Sequence, residues 1–278
     1  MSAKHSVGFD NRVDVARAHP KMVGGPLDDD PSMMVQEQIA RLKHFAEKQD
    51  LKNRSTLDLG CGTGFNCEYI TESFGVDKAL GVDISAPTIE FAKKTYPSQE
   101  YLVGDICEPG LDLGKENWDT IICCEVIEHV TEPFDLLNNI HSHLKDDGVA
   151  LITTPNKPVF SLGYEPSPVN NTHVQEYTLP EFRGMLEKIF SSVSIYGQRF
   201  NSDRLFKVQQ AIVKRNIRDF RLLRSLYWNI PVRRLWKVVR LEPLWRWMEG
   251  GLQYTHRDFE FVDNPGVDSI WLCAIVKK

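Results

Sequence analysis

The chain has 278 residues, a formal net charge of −5, 42% hydrophobic and 26% charged residues, which is enough apolar material for a packed domain and excludes wholesale disorder. No run approaches the ~18 consecutive apolar residues of a membrane span, and the opening MSAKHSVGFDNRVD lacks the apolar core of a secretory signal. Six cysteines without CxxC spacing point to reduced, mostly buried thiols in a cytoplasmic protein.

Residues 1–34 are rich in Gly, Pro and Asp (GGPLDDDP) and read as an N-terminal loop or lid. From about residue 32 to 49, Met33, Val35, Ile39, Leu42 and Phe45 recur at helical spacing. Strand patterns follow at 55–59, 79–83, 100–103, 118–124, 148–154, 192–197 and 269–276. Helical patterns at 65–74, 86–95, 132–145 and 179–189 lie between them. This alternation predicts an α/β fold with a mainly parallel sheet and helices on both faces. The central runs TIICC and VALITT are apolar throughout, as strands covered on both sides should be. Cys123 and Cys124 then point to opposite faces. The core domain is assigned to 35–200 and 268–278, with 201–267 as an insertion before the last strand.

That insertion differs in charge from the rest. Between Arg204 and Trp247 there are twelve Lys/Arg, two acids and four of the six Trp, a net +10 against −15 for the remainder. Its first part is amphipathic with a cationic face, and Pro231 and Pro243 divide it into three helical pieces. Three roles compete: a helical cap over a substrate, an in-plane anchor on anionic lipid, and a dock for an acidic carrier protein. The acidic remainder argues against a nucleic-acid partner.

The first strand runs into Asp58-Leu59-Gly60-Cys61-Gly62-Thr63-Gly64-Phe65. The spacing is DxGxGxG, whereas a dinucleotide fingerprint needs its third glycine at 65. An acid on the strand side of such a turn repels a pyrophosphate and attracts an ammonium group. Asp83 ends the second strand, where a carboxylate can accept from ribose hydroxyls, and Asp105 follows the third. All three acids fall at the carboxyl ends of neighbouring strands, where open α/β sheets bind ligands. A ligand with a cationic amino-acid tail, a ribose and an adenine fits, and S-adenosylmethionine is such a ligand.

Residues 55–155 resemble the class I S-adenosylmethionine-dependent methyltransferases, through LDLGCGTG (57–64), GVDIS (81–85), GDI (104–106) and WDTIICCEVIEHV (118–130). The resemblance implies a Rossmann-like, seven-stranded mixed sheet whose last strand is antiparallel. It implies that Asp58, Gly60, Cys61, Gly62 and Gly64 surround the methionine end of the cofactor. Asp83 then binds the ribose, Ile84 packs on adenine, Asp105 with Ile106 frames the adenine edge, and Glu125 lines the pocket.

The segment EVIEHV follows the fourth strand and His173 follows the fifth, so both belong to the same rim. The pattern is similar to ubiquinone-pathway O-methyltransferases and to small-RNA 2′-O-methyltransferases. In the latter an ExxEH segment and a later histidine hold a metal. Carried over, Glu125, Glu128, His129 and His173 are the candidate ligands of a divalent ion such as Mg²⁺. The alternative is metal-free chemistry, with His129 or His173 as base and Glu128 beside them. The other histidines read as surface or packing residues. The function expected is methyl transfer to an oxygen or nitrogen of a small, anionic or lipid- or carrier-linked acceptor. A non-catalytic cofactor-binding protein and a nicotinamide-dependent oxidoreductase are the competing classes.

Overall fold

Val35, Ile39, Leu42 and Phe45 line one stripe of helix α1 (Met33–Lys48) and are buried against the sheet. A computed structural model describes residues 33–114, 117–162, 172–207, 209–211, 214 and 255–278. The lid expected over 1–34 (to residue 32) and the basic, Trp-rich stretch from 215 to 254 lie outside the described residues.

Strands β1 (Ser55–Leu59), β2 (Lys78–Asp83), β3 (Glu100–Val103), β4 (Trp118–Cys124) and β5 (Leu144–Pro155) run parallel. Strand β6 (Ser192–Phe200) and the short β7 (Phe259–Val262) precede β8 (Trp271–Lys277), which lies antiparallel between β5 and β6. The sheet order is β3-β2-β1-β4-β5-β8-β6-β7. The last strand is antiparallel, as expected, but the sheet has eight strands rather than seven. The additional strand falls inside 201–267. Its FEFV repeat is only four residues long and half-exposed, too short to separate from a loop by periodicity.

The alternation of burial along β4 shows why both faces are covered. Ile121 and Cys123 belong to the core under α4 (Pro133–His143), while Ile122 belongs to the core under α1 and α2 (Phe65–Phe74). Ile121 and Ile122 are both fully buried, worth roughly 1.5–3 kcal/mol each. Helix α3 (Ala86–Thr95) begins at Ser85, α5 (Lys157–Phe160) follows β5, and α6 (Leu179–Leu186) starts at a reciprocal Thr178–Glu181 cap. The local signals therefore place the helix starts just beyond the strand ends, on the rim where ligands bind. Among the described residues, no helix is long and apolar enough to cross a membrane.

Candidate active site

Strand β1 sits between β2 and β4, the point where the chain order in the sheet reverses and a crevice opens at the carboxyl ends. In the register, Asp58 lies beside Gly81 and Asp83 beside Val103. Asp58, Asp83 and Asp105 are thus carried at the same end of three adjacent strands. The turn after β1 is left-handed at Gly60 (φ 78°) and Gly64 (φ 86°). A side chain at Gly60 would collide with Val126, and one at Gly64 with Tyr101. Glycine is required there both for conformation and for close approach. Gly60 and Cys61 donate backbone N–H bonds to Val82 (2.8 and 3.1 Å), which pins the turn to β2. The Cys61 side chain is buried and packs against Gly81, so only its backbone borders the turn.

Asp58 is 1% exposed, and its side-chain partners among the described residues are long contacts: Asn66 Nδ2 at 3.4 Å and the Cys67 thiol at 3.9 Å. Burial pushes its carboxyl up to about 7, with repulsion from Asp83 adding to the shift and the Asn66 bond opposing it. Among the described residues no cation faces this carboxyl group, and a ligand ammonium is a group that would supply one. Asp83 accepts from Ser85 N–H (2.8 Å) on one oxygen and from Gly62 N–H (3.1 Å) on the other. Burial raises its carboxyl, and these two bonds oppose the rise. Each oxygen retains a second lone pair for a hydroxyl donor. Asp105 is half-buried and accepts from Cys107 N–H at 3.0 Å. Ile84 is half-buried and Ile106 buried on the same rim. These donor and acceptor sets fit the ammonium, ribose and adenine of the expected cofactor.

Glu125 points elsewhere. It leaves β4 with φ 57°, in the left-handed region. One carboxylate oxygen accepts from Thr153 Oγ1 (3.0 Å) and lies 3.5 Å from Arg41, while the other accepts from Trp271 Nε1 (2.9 Å). Its carboxylate is therefore committed to α1, β5 and β8, and the structure does not bring it into the cluster formed by Glu128, His129 and His173. In that cluster one ligand atom from each residue lies within 4.8 Å of the others.

The histidine cluster is assembled by two chain segments. Glu128 carbonyl accepts from Val174 N–H (2.7 Å) and Gln175 N–H (3.2 Å), which ties the loop bearing His173 to the turn Ile127–His129. His129 Nδ1 lies 2.8 Å from the Thr172 carbonyl. A carbonyl only accepts, so the proton sits on Nδ1 and a neutral ring presents Nε2 as a lone pair. That nitrogen is 3.9 Å from Glu128 Oε1. His173 Nδ1 lies 3.1 Å from Glu176 Oε1, and its ring packs edge-on to His129 (4.8 Å) and stacks with Phe160 (5.6 Å). Glu128 is fully buried. Its Oε2 accepts from Thr154 (3.2 Å), while among the described residues Oε1 has no hydrogen-bond partner. Burial, then repulsion from Glu125, raises its carboxyl well above the ordinary range. Burial lowers His129, with the Thr172 bond opposing the shift.

Sequence reasoning missed Glu176, Arg41, Gln198 and Trp271. The HVQE spacing, His173 to Glu176, was a usable signal for the first. Arg41 carried none, because an arginine beside an apolar helical stripe reads as a solvated residue. A separate cavity of about 640 Å³ opens beside Lys78 and Trp118, at the opposite ends of the strands, away from all these groups.

Comparison with known proteins bears on the whole rim. Residues 34–189 match the family model described as "Methyltransferase domain". The chain is 28% identical over 134 residues to a probable S-adenosylmethionine-dependent methyltransferase of Mycolicibacterium smegmatis, covering 48% of this chain and 50% of that protein. It is 30% identical over 119 residues to a ubiquinone biosynthesis O-methyltransferase of Coxiella burnetii, covering 42% and 50%. The matched region thus spans about half the length of these curated relatives. A solved SAM-dependent methyltransferase from Archaeoglobus fulgidus shares the fold, with TM-score 0.54 at 18% identity over 87% of this chain and 94% of that one.

Proposed function

The chain belongs to the methyltransferase-domain family, and on that premise we propose that it transfers the methyl group of S-adenosylmethionine to an oxygen or nitrogen of a small acceptor. The observation that carries this reading is Asp58, a buried carboxyl group beside a glycine turn that faces no cation among the described residues. When bound, the cofactor supplies a methyl group already activated on a sulfonium. The protein's part is then alignment, exclusion of water and removal of a proton. Asp58 holds the ammonium end, Asp83 accepts from the ribose, and Asp105 with Ile84 and Ile106 borders the base. His129 offers Nε2 to the acceptor proton, with Nδ1 fixed by Thr172. An anionic, lipid-linked or carrier-linked acceptor is suggested by the basic stretch 204–247, and the Coxiella relative's name favours oxygen as the attacked atom.

Calorimetric titration with S-adenosylhomocysteine and with a nicotinamide dinucleotide tests the assignment. Binding of the first alone supports it; binding of the dinucleotide alone replaces it with an oxidoreductase. Turnover on a panel of hydroxyl and amine acceptors separates an enzyme from a cofactor-binding protein without activity.

A metal-assisted version has its own observation: the Glu128 oxygen that has no hydrogen-bond partner among the described residues, grouped with His129 and His173. Nitrogen and carboxylate ligands of this kind suit a divalent ion, which would acidify a bound acceptor hydroxyl. Thr172 and Glu176 would orient the two imidazoles. Mn²⁺ titration followed by electron paramagnetic resonance decides this. Saturable binding lost in His173→Ala supports it, and no binding at millimolar Mn²⁺ dismisses it.

A further inference from the structure

We infer that Arg41, on α1 and outside every motif of the crevice, is a positioning residue that sets the two acids flanking the cofactor, Glu125 and Asp58. The inference rests on the cofactor reading above. Arg41 is 3% exposed and therefore needs partners for its charge. Its Nε donates to Gln198 Oε1 (2.6 Å) and its Nη1 to Gln38 Oε1 (3.0 Å), and Nη1 lies 3.5 Å from Glu125 Oε1. The guanidinium packs 4.7 Å from the centroid of the Trp271 ring, a ring whose own N–H is spent on Glu125 at 2.9 Å. Burial opposes the Arg41 charge, but Glu125 and further neighbours outweigh it and hold the group above its ordinary value.

The first consequence concerns Glu125. A left-handed backbone is unfavourable at a glutamate, and it is held by side-chain bonds from Thr153, Trp271 and Arg41. This turn is what redirects the chain from β4 into the segment carrying Glu128 and His129. Arg41 also neutralises Glu125, so a cationic ligand meets Asp58, and not Glu125, as the acid without a counter-charge.

The second consequence concerns polarity. Arginine only donates. Because Gln38 Oε1 accepts from Arg41, the Gln38 amide must present its N–H₂ on the other side, where it donates to Asn66 Oδ1 (3.0 Å). Asn66 is thereby oriented to donate through Nδ2 to Asp58 Oδ1 (3.4 Å). The donors run in one direction from Arg41 through Gln38 and Asn66 to Asp58. Without the arginine either amide can turn over and point an oxygen at the carboxylate.

The test compares S-adenosylhomocysteine affinity, by calorimetry, with thermal stability. Four proteins are needed: wild type, Arg41→Met, Arg41→Met with Glu125→Gln, and Asn66→Ala at a half-exposed position. Arg41→Met leaves the half-exposed Glu125 without its guanidinium and frees the Gln38 and Asn66 amides to turn, and affinity falls about tenfold. Glu125→Gln in the same chain recovers the part of the loss that comes from the unpaired Glu125, while the part carried through Gln38 and Asn66 remains. Asn66→Ala weakens binding about threefold to tenfold with an unchanged melting temperature. Affinities within twofold of wild type in both Arg41→Met and Asn66→Ala overturn the inference, as does failure of Glu125→Gln to recover binding. If Arg41→Met does not fold, the double variant and Asn66→Ala decide by the same criteria. A wild-type protein that does not bind S-adenosylhomocysteine overturns the cofactor reading itself, before any variant is compared.

Discussion

The two halves of the rim handle their carboxyl groups in opposite ways. On the β1–β3 side, Asp58 is sealed from water with a distant amide and a thiol against it. On the β4–β5 side, Glu125 is engaged by a hydroxyl, an indole N–H and a guanidinium. A satisfied carboxylate of the second kind holds structure together. One of the first kind keeps its capacity for a ligand, and the function proposed above puts binding on one side and architecture with proton transfer on the other.

The sharpest way to break this division is to cross its readouts. His129→Ala should lower kcat by about 10²–10⁴-fold on whichever acceptor the panel identifies, with S-adenosylhomocysteine affinity within about twofold of wild type. Asp58→Asn should do the reverse, weakening S-adenosylhomocysteine binding by about 100-fold while leaving the melting temperature of the free protein at pH ~7 or above equal or higher, because there the wild type must either ionise a buried carboxyl group without a cation or hold it protonated. A loss of both properties in either variant would merge the two halves.

Acidity sharpens the comparison further. Asp58 has an ordinary carboxyl value of 3.8 and is pushed up to about 7 in the fold. Its folded value is the raised one, so its contribution to the stability of the ligand-free protein is present below pH ~4 and is lost as pH rises through ~7. Binding an ammonium requires the ionised form, so affinity moves the other way, falling by up to about tenfold per pH unit below ~7. Asp83 also has a raised carboxyl value and acts in the same direction. Thermal melts with and without S-adenosylhomocysteine between pH 5.5 and 7.5 check the sign: the stabilisation by ligand should grow with pH. The smallest effect is expected at the opposite end of the strands. There Lys145 donates to Asp119 at 2.9 Å, and Asp119→Asn should cost about 1 kcal/mol or less in urea unfolding with ligand affinity unchanged.

The β1–β3 side was legible because its chemistry is local. Asp58, Gly60, Gly62 and Gly64 share one turn, and a tight left-handed path at a strand end leaves few residue choices. The apolar runs and the Pro and Gly stops also located the seven principal strands, with β7 missed for its brevity. The β4–β5 side was legible only in part. EVIEH and His173 could be named, but which carboxylate turned toward the histidines depended on a partner 84 positions away. The numbers of Arg41 and Glu125 give that separation, and no pattern within either segment encodes their contact. Glu125 was accordingly placed with the ligands, and Arg41 not at all. Burial of a charged group is decided by what packs above it, and a single chain's periodicity carries no record of that.

The central claim is that Asp58 meets the cationic end of S-adenosylmethionine as a carboxylate that was protonated before binding. Calorimetry with the cofactor at pH 6, in two buffers of different ionisation enthalpy, reads this directly. The account predicts release of about one proton per ligand bound, and its disappearance together with most of the affinity in Asp58→Asn. Identical heats in the two buffers, or undiminished binding by Asp58→Asn, would contradict it.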